Sequence, residues 1–297
     1  MTRERNPSKA ATSTAWVFLL PSAGAWCFVP GLSPFLTMCV IAITLFVTIK
    51  LHVLVVYVSQ NGRPSWSDML AWFIGWPGLS AGRFFRKQNV TKPSLEEWCW
   101  AIGKTAFGMV VLLLVAPRLR GIGDLVSGWT ALLGVVFFLH FGVFHLAALF
   151  WRHQGRDIRP IMNCPICATS VNEFWSRRWN LAFRDYASPF VFLPLARRTS
   201  PLVAVVAGYS FSGIIHEIAI SAPAGAGFGL PTLYFMLQGT GIILERAAVK
   251  SGFALTSGVR GWVWTAAITA PGALLLFHPP FIRTVVLPLV DFIASIR

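Results

Sequence analysis

A chain of 297 residues in which 55% are apolar and only 12% are charged lies far from the soluble norm of about 25% charged residues. Apolar runs recur from end to end at close to the ~20 residues that a bilayer core demands, and no polar stretch is long enough to fold around a soluble core of its own. The formal charge of +14 would fit nucleic acid in a soluble protein, but most of the 25 basic residues fall in alternate loops, the positive-inside pattern of a membrane protein, which argues against nucleic-acid binding.

In chain order, Arg3, Arg5 and Lys9 precede the apolar Trp16-Val17-Phe18-Leu19-Leu20 and the small residues Ala23-Gly24-Ala25. That layout is shared by signal peptides; in a chain that is membrane-spanning throughout it reads as an uncleaved first helix. The runs that qualify as spans are 15–30, 35–58, 101–117, 128–151, 201–220, 230–247, 261–277 and 281–296. The expectation is therefore an all-α, polytopic integral membrane protein, a single membrane domain over 1–297. It would have about eight transmembrane helices, and both termini and the loops 59–97 and 152–200 would lie on the cytosolic side. Within the first of these loops, Trp66–Gly82 is apolar but short and broken by Pro77, the pattern of an interfacial or re-entrant segment. Irregular backbone at membrane depth survives only against protein or a wet cavity.

The loop 152–200 is the most informative stretch. Ser170-Val171-Asn172-Glu173 has the spacing of a capping box, so a helix should start at about Val171. On a 100° wheel Trp175, Trp179, Ala182, Phe183 and Tyr186 share one face, while Glu173, Ser176, Arg177, Asn180 and Arg184 share the other. This predicts one amphipathic helix with its aromatic residues toward lipid or apolar protein. A plain interfacial anchor would look similar, though it would carry lysines. Here Glu173 and Arg177 can pair at i,i+4, leaving Asn180 unpartnered. Upstream, Cys164-Pro165-Ile166-Cys167 has metal-ligand spacing but no second pair to complete a zinc site, so no metal is expected and the two are read as free thiols.

Ionisable groups inside apolar spans mark function by default. In Tyr209-Ser210-Phe211-Ser212-Gly213-Ile214-Ile215-His216-Glu217, a helix entering at Pro201 puts His216 about 22 Å along its axis, at 1.5 Å per residue. Ser212 is one turn earlier on the same face, and Glu217 points about 100° away. The bland alternative is a satisfied structural histidine. His140 and His145 face apart by about 140° and cannot share a metal. Lys50 and His52 sit in the inner half of the second span, where a lysine can snorkel. Gln238 and Glu245 lie on the sixth span.

Taken together, Asn172-Glu173-Phe174-Trp175-Ser176-Arg177-Arg178-Trp179-Asn180 and the later Phe211-Ser212-Gly213-Ile214-Ile215-His216-Glu217 resemble the wax synthase-like branch of the membrane-bound O-acyltransferase family, the long-chain-alcohol O-fatty-acyltransferases. Trp76-Pro77-Gly78-Leu79 looks like that family's W-P-G segment, and Phe235-Met236-Leu237-Gln238-Gly239 through Glu245 looks like its F-x-x-Q-G…E stretch. The resemblance covers about residues 70–250; the paired motif is specific, the two flanking ones are weak.

The resemblance implies an acyl-CoA:alcohol O-acyltransferase active on membrane lipid, making wax or neutral-lipid esters, with a helical fold around a tunnel. His216 would be the catalytic histidine and Asn180 the conserved polar residue beside it. Trp175, Arg177, Arg178, Trp179, Ser212, Glu217, Gln238 and Glu245 would line the substrates, and acyl-CoA would be a co-substrate with no separate cofactor. Many family members have more spans and a longer N-terminal part, so the acceptor cavity here is either trimmed or completed by a second copy in a homo-oligomer. Two other readings remain: acyl or acetyl transfer to a terpenoid or sterol-like alcohol, and a small transporter in which the buried His and Lys relay protons. The inverted repeats common in transporters are absent from the sequence.

Overall fold

The computed structural model describes residues 30–88, 90–253 and 255–296; the expected first span at 15–30 lies almost wholly outside them. The regular structure among the described residues is helical, apart from one isolated antiparallel bridge between Lys87 and Arg156. Helix α1 (Pro34–Asn61) begins on the Ser33 cap with Pro34 in its first turn, a position where proline loses no hydrogen bond. The short α2 (Trp66–Gly75) and α3 (Ala81–Phe85) come next, separated by a break at Trp76–Ser80. The segment around Pro77 is thus interrupted, as its composition predicts.

Two long antiparallel helices succeed them, α4 (Leu95–Gly121) and α5 (Asp124–His153). A Cβ at Gly108 would fall 2.1 Å from the Phe138 amide nitrogen, and one at Gly142 2.4 Å from the Thr105 hydroxyl oxygen. The two backbones therefore touch where only glycine fits, the way helices associate in lipid.

The loop 152–200 folds as α6 (Val171–Glu173) running into a π-helical turn, Phe174–Arg178, then α7 (Leu181–Ala187) and α8 (Leu193–Arg198). Its long successors are α9 (Pro201–Ala224) and α10 (Leu230–Lys250). The chain closes with α11 (Gly258–Leu276) and α12 (Pro279–Ser295), which meet at 55°.

By length and apolarity four described helices can cross a bilayer (α1, α4, α5 and α9), or five if the bent pair α11–α12 is one span. Helices also stand at α10, α11 and α12, near the expected 230–247, 261–277 and 281–296. Helix α10, with Gln238, Glu245, Arg246 and Lys250, is not apolar enough to join that set, and α11 and α12 qualify only together. The chain is a polytopic α-helical membrane protein. Large apolar side chains such as Ile43, Val55, Ile102 and Leu233 remain exposed, forming an outer surface suited to hydrocarbon rather than water.

Two apolar clusters hold the helices together. One joins Ile41, Trp72, Trp76, Phe84, Tyr186, Phe190, Phe211 and Ile215; the other joins Ile220, Tyr234, Phe235, Leu276, Phe281, Ile282 and Val286. Helix α9 contributes to both, and His216 falls at the seam between Ile215 and Ile220. The loop 152–200 is fastened beneath them by Arg156, which donates to the Phe84 carbonyl at 3.0 Å and pairs with Asp68.

Candidate active site

Helix α9 starts from a Ser200 cap that accepts the Val203 amide, and its regular ladder gives way to a π-helical turn at Glu217–Ser221. His216 stands at that switch. Such single-turn π segments cluster at functional sites. The His216 Nδ1 lies 2.7 Å from the Ser212 carbonyl oxygen. A carbonyl only accepts, so the neutral ring carries its hydrogen on Nδ1 and presents Nε2 as a proton acceptor. The Ser212 hydroxyl is directed back to the Gly208 carbonyl at 3.1 Å, so Ser212 orients the histidine through its backbone.

The imidazole packs on Phe235, with ring centroids 4.5 Å apart. Phe235 in turn contacts Trp175 of the π turn at 5.6 Å, and the Trp175 indole donates to Gln238 Oε1 at 3.2 Å. Fully buried Gln238 passes its own amide on to the Ile268 carbonyl at 3.0 Å. An aromatic chain therefore joins His216 to Trp175, and Gln238 locks its far end. Phe235 had no distinguishing signal in the sequence beyond its place in a weak motif.

The single amphipathic helix expected from Val171 to Tyr186 is not formed. Trp179 is extended and Asn180 is left-handed, with φ +42°. Asparagine is among the few residues that tolerate this conformation. The break arises because Asn180 caps the next helix: its Oδ1 accepts the Phe183 amide at 3.3 Å. The two aromatic faces consequently diverge. Trp175 turns inward to Tyr209, Tyr234 and Phe235, whereas Trp179 stacks on Phe174 at 5.6 Å.

The expected Glu173–Arg177 pair is replaced by Glu173–Arg178 at 2.7 Å, because the wider π turn shifts the register by one residue. Burial works to raise the Glu173 carboxyl, but the Thr169 amide and the Arg178 guanidinium outweigh it and hold the carboxyl below its ordinary value. The stability from this pair is therefore present above that ordinary value and fades as pH falls through the lowered one.

Several of the residues expected to line the substrates hold the frame. Glu217 Oε1 accepts the amides of Gly229 and Thr232, each at 3.0 Å, and the Thr232 hydroxyl at 2.8 Å, capping the start of α10. Glu245, 3% exposed, accepts the amides of Val171 and Asn172 and the Trp264 indole. It ties the first turn of the motif to α10 and α11. Arg178 also donates to the carbonyls of Asn163 and Cys164. Beside it the two expected free thiols are joined: Cys164 is left-handed and Pro165–Cys167 is a 3-10 turn, so the Cα atoms come within 5.5 Å and a disulfide closes the loop. Lys50, expected to snorkel, is fully buried.

Arg177 has a different setting. It lines a groove of about 450 Å³ with Arg83, Arg159, Arg184, Asp185, Trp76, Gly78 and Asn163, floored by Leu181 and Ala182 of α7. The Nε of Arg184 is buried without a hydrogen-bond partner among the described residues. A second recess of about 380 Å³ continues past Arg83 and Arg184 to Arg86. Neither includes His216 or Asn180, although Asn180 sits in sequence between the lining residues Arg177 and Leu181. Phe183 stacks on Phe211 at 6.2 Å, and Phe211 and Ile215 share one apolar cluster. Phe183 follows the groove residues Leu181 and Ala182 in α7 and Ile215 precedes His216 in α9, so one apolar layer adjoins both. Arg83, Arg159 and Arg184 come from three separate segments, which no sequence spacing could have joined.

Residues 158–237, which hold the groove floor, Asn180 and His216, match the family described as membrane bound O-acyl transferase. The match covers that segment alone. The chain is 32% identical over 144 residues to a probable long-chain-alcohol O-fatty-acyltransferase of Arabidopsis thaliana, covering 43% of this chain and 42% of the relative. It is 28% identical over 145 residues to the long-chain-alcohol O-fatty-acyltransferase of Simmondsia chinensis, covering 43% of this chain and 40% of that protein. A shorter match, 35% over 69 residues, covers 21% of this chain and 20% of an acyl-CoA–sterol O-acyltransferase of Arabidopsis thaliana. The chain spans about two fifths of the length of the first two of these relatives.

Removing the Glu245 carboxylate would leave two amides and an indole N–H without their acceptor. At about 1–3 kcal/mol for a buried unsatisfied group, Glu245→Ala should clearly lower the unfolding temperature of the purified protein. Glu245→Gln, which keeps one acceptor oxygen, should lower it less. Equal melting of all three proteins would show that Glu245 does not hold the motif.

Proposed function

We propose that the chain transfers an acyl group from acyl-CoA to the hydroxyl of a long-chain lipid alcohol, with His216 as general base. The observation that carries this reading is the His216 ring itself. Its Nδ1 is spent on the Ser212 carbonyl, so Nε2 is directed to a single task, accepting a proton. The alcohol gives its proton to Nε2 while its oxygen attacks the thioester carbonyl carbon. Collapse of the tetrahedral intermediate breaks the C–S bond, and the imidazolium returns the proton to the departing thiolate. The products are an ester and CoA.

Asn180 commits Oδ1 to the Phe183 amide, which leaves its amide hydrogens to orient the thioester or to stabilise the oxyanion, an effect commonly of a few kcal/mol. An apolar surround keeps water from the thioester. The arginine groove would take the anionic end of CoA, since guanidinium groups bind phosphate in bidentate fashion. The apolar layer over α7 would guide the acyl chain toward His216. A sterol-like acceptor is the second reading, favoured by the similarity to a protein named as an acyl-CoA–sterol O-acyltransferase.

This assignment places the groove, the loops 59–97 and 152–200 and both termini in the cytosol, where acyl-CoA is found. Gln154 is exposed next to the end of α5. A single cysteine introduced there should react with an impermeant maleimide only after right-side-out cells are opened. Reaction in intact cells would reverse the orientation.

Loss of a general base commonly costs about 10²–10⁴ in rate. His216→Ala should lower turnover by that factor while the protein still inserts and melts like the wild type, measured with radiolabelled acyl-CoA and a long-chain alcohol. Wild-type turnover in His216→Ala would remove the histidine from the mechanism.

A further inference from the structure

Helix α2 ends between two buried tryptophans, Trp72 and Trp76, and the carbonyls of a helix's last turn have no partner within the helix. Here they are met by two side chains from distant segments. The ammonium of Lys50, on α1, donates to the carbonyls of Trp72, Phe73 and Trp76. The Trp151 indole, at the end of α5, donates to the Gly75 carbonyl at 2.8 Å. An ammonium carries three hydrogens, so three carbonyls satisfy it completely. Its charge also suits the negative end of the helix dipole. The faces of Trp72, 4.2 Å from Nζ to ring centroid, and Phe46, at 5.2 Å, enclose it. A planar guanidinium could not meet three converging acceptors in this way.

The segment C-terminal to α2 gives this cap its consequence. Trp76, whose carbonyl Lys50 holds, lies with its ring over Gly78, where a Cβ would sit 2.1 Å from the indole nitrogen. Trp76, Gly78, Ser80 and Arg83 line the arginine groove together with Arg159, Arg177 and Arg184. We infer that Lys50 is a positioning residue: by tying off α2 it fixes the Trp76–Arg83 wall of the groove and so sets the affinity for the CoA moiety. The inference rests on the proposed reading of the groove as the CoA site. Lys50 itself does not line the groove, so it acts through the wall alone.

The test uses full-length protein in lipid nanodiscs. Hydrogen exchange is followed peptide by peptide, binding of unacylated CoA by calorimetry, and KM separately for acyl-CoA and for the alcohol. Lys50→Met should raise exchange at 76–83 and leave the α4–α5 pair unchanged. It should weaken CoA binding about tenfold, as expected when a charge-assisted hydrogen bond to phosphate is weakened, and raise KM for acyl-CoA while KM for the alcohol stays the same.

Trp151→Phe removes only the bond to the Gly75 carbonyl and keeps a ring against Phe84. It should shift the same quantities in the same direction by less, and it decides the matter if Lys50→Met does not fold. Unchanged exchange at 76–83, or both KM values rising together, would overturn the positioning role. A wild-type protein that binds no CoA would overturn the reading of the groove. A wild type that binds CoA beside a Lys50→Met protein that binds it equally would overturn the role of Lys50 alone.

Discussion

The hydrogen bond from His216 Nδ1 to the Ser212 carbonyl, at 2.7 Å, decides what the centre of this molecule can do. In water an imidazole samples both tautomers and many orientations. Held one helical turn above a carbonyl, it has one hydrogen position and one outward-facing lone pair. The π turn that starts at Glu217 opens the helix just beyond the ring, and Phe235 supports its face. Much of the surrounding architecture keeps that short stretch of α9 fixed against α10 and the loop 152–200.

Buried charge does much of that holding, and each case solves the same problem. A polar group away from water costs free energy unless its hydrogen-bonding capacity is used. Glu245 meets the amides at the start of α6, Glu217 meets those at the start of α10, and Lys50 meets the carbonyls at the end of α2. In each case the sign of the charge opposes that of the helix end it touches. Charges that look like candidate chemistry in the sequence are thus mostly fasteners. The exceptions are the groove arginines, whose charges converge on a hollow rather than on helix ends.

Much of the fold was legible because the physics that sets it is local in sequence. Apolar run length predicts where α1, α4, α5 and α9 stand, and Pro77 predicts the interruption after α2. Ser170 and Glu173 predict the start of α6: the Ser170 hydroxyl does accept the Glu173 amide at 2.9 Å. Legibility failed where one residue altered the register. Periodicity carries a helix straight through Asn180, but capping by its side chain and its left-handed backbone end one segment and begin another. The Glu173 partner then moves from Arg177 to Arg178, and Trp175 and Trp179, expected on one face, part: Trp175 packs on Phe235 and Trp179 on Phe174. His216 was visible as an ionisable group in an apolar run. The groove was not, because Arg83, Arg159 and Arg184 meet only through tertiary packing. Nor was the task of Lys50, since nothing in α1 reveals that the end of another helix will lie against it.

Ester synthesis from a thioester at a membrane-embedded histidine can be tested directly on the purified wild-type protein. It is incubated with radiolabelled long-chain acyl-CoA and a panel of fatty, sterol and terpenoid alcohols, and label is followed into ester and free thiol together. Label should enter the ester of a long-chain or sterol-like alcohol, with one CoA thiol released per ester formed. Release of thiol with label recovered only as free fatty acid, or no consumption of acyl-CoA with any alcohol, would contradict the proposed chemistry.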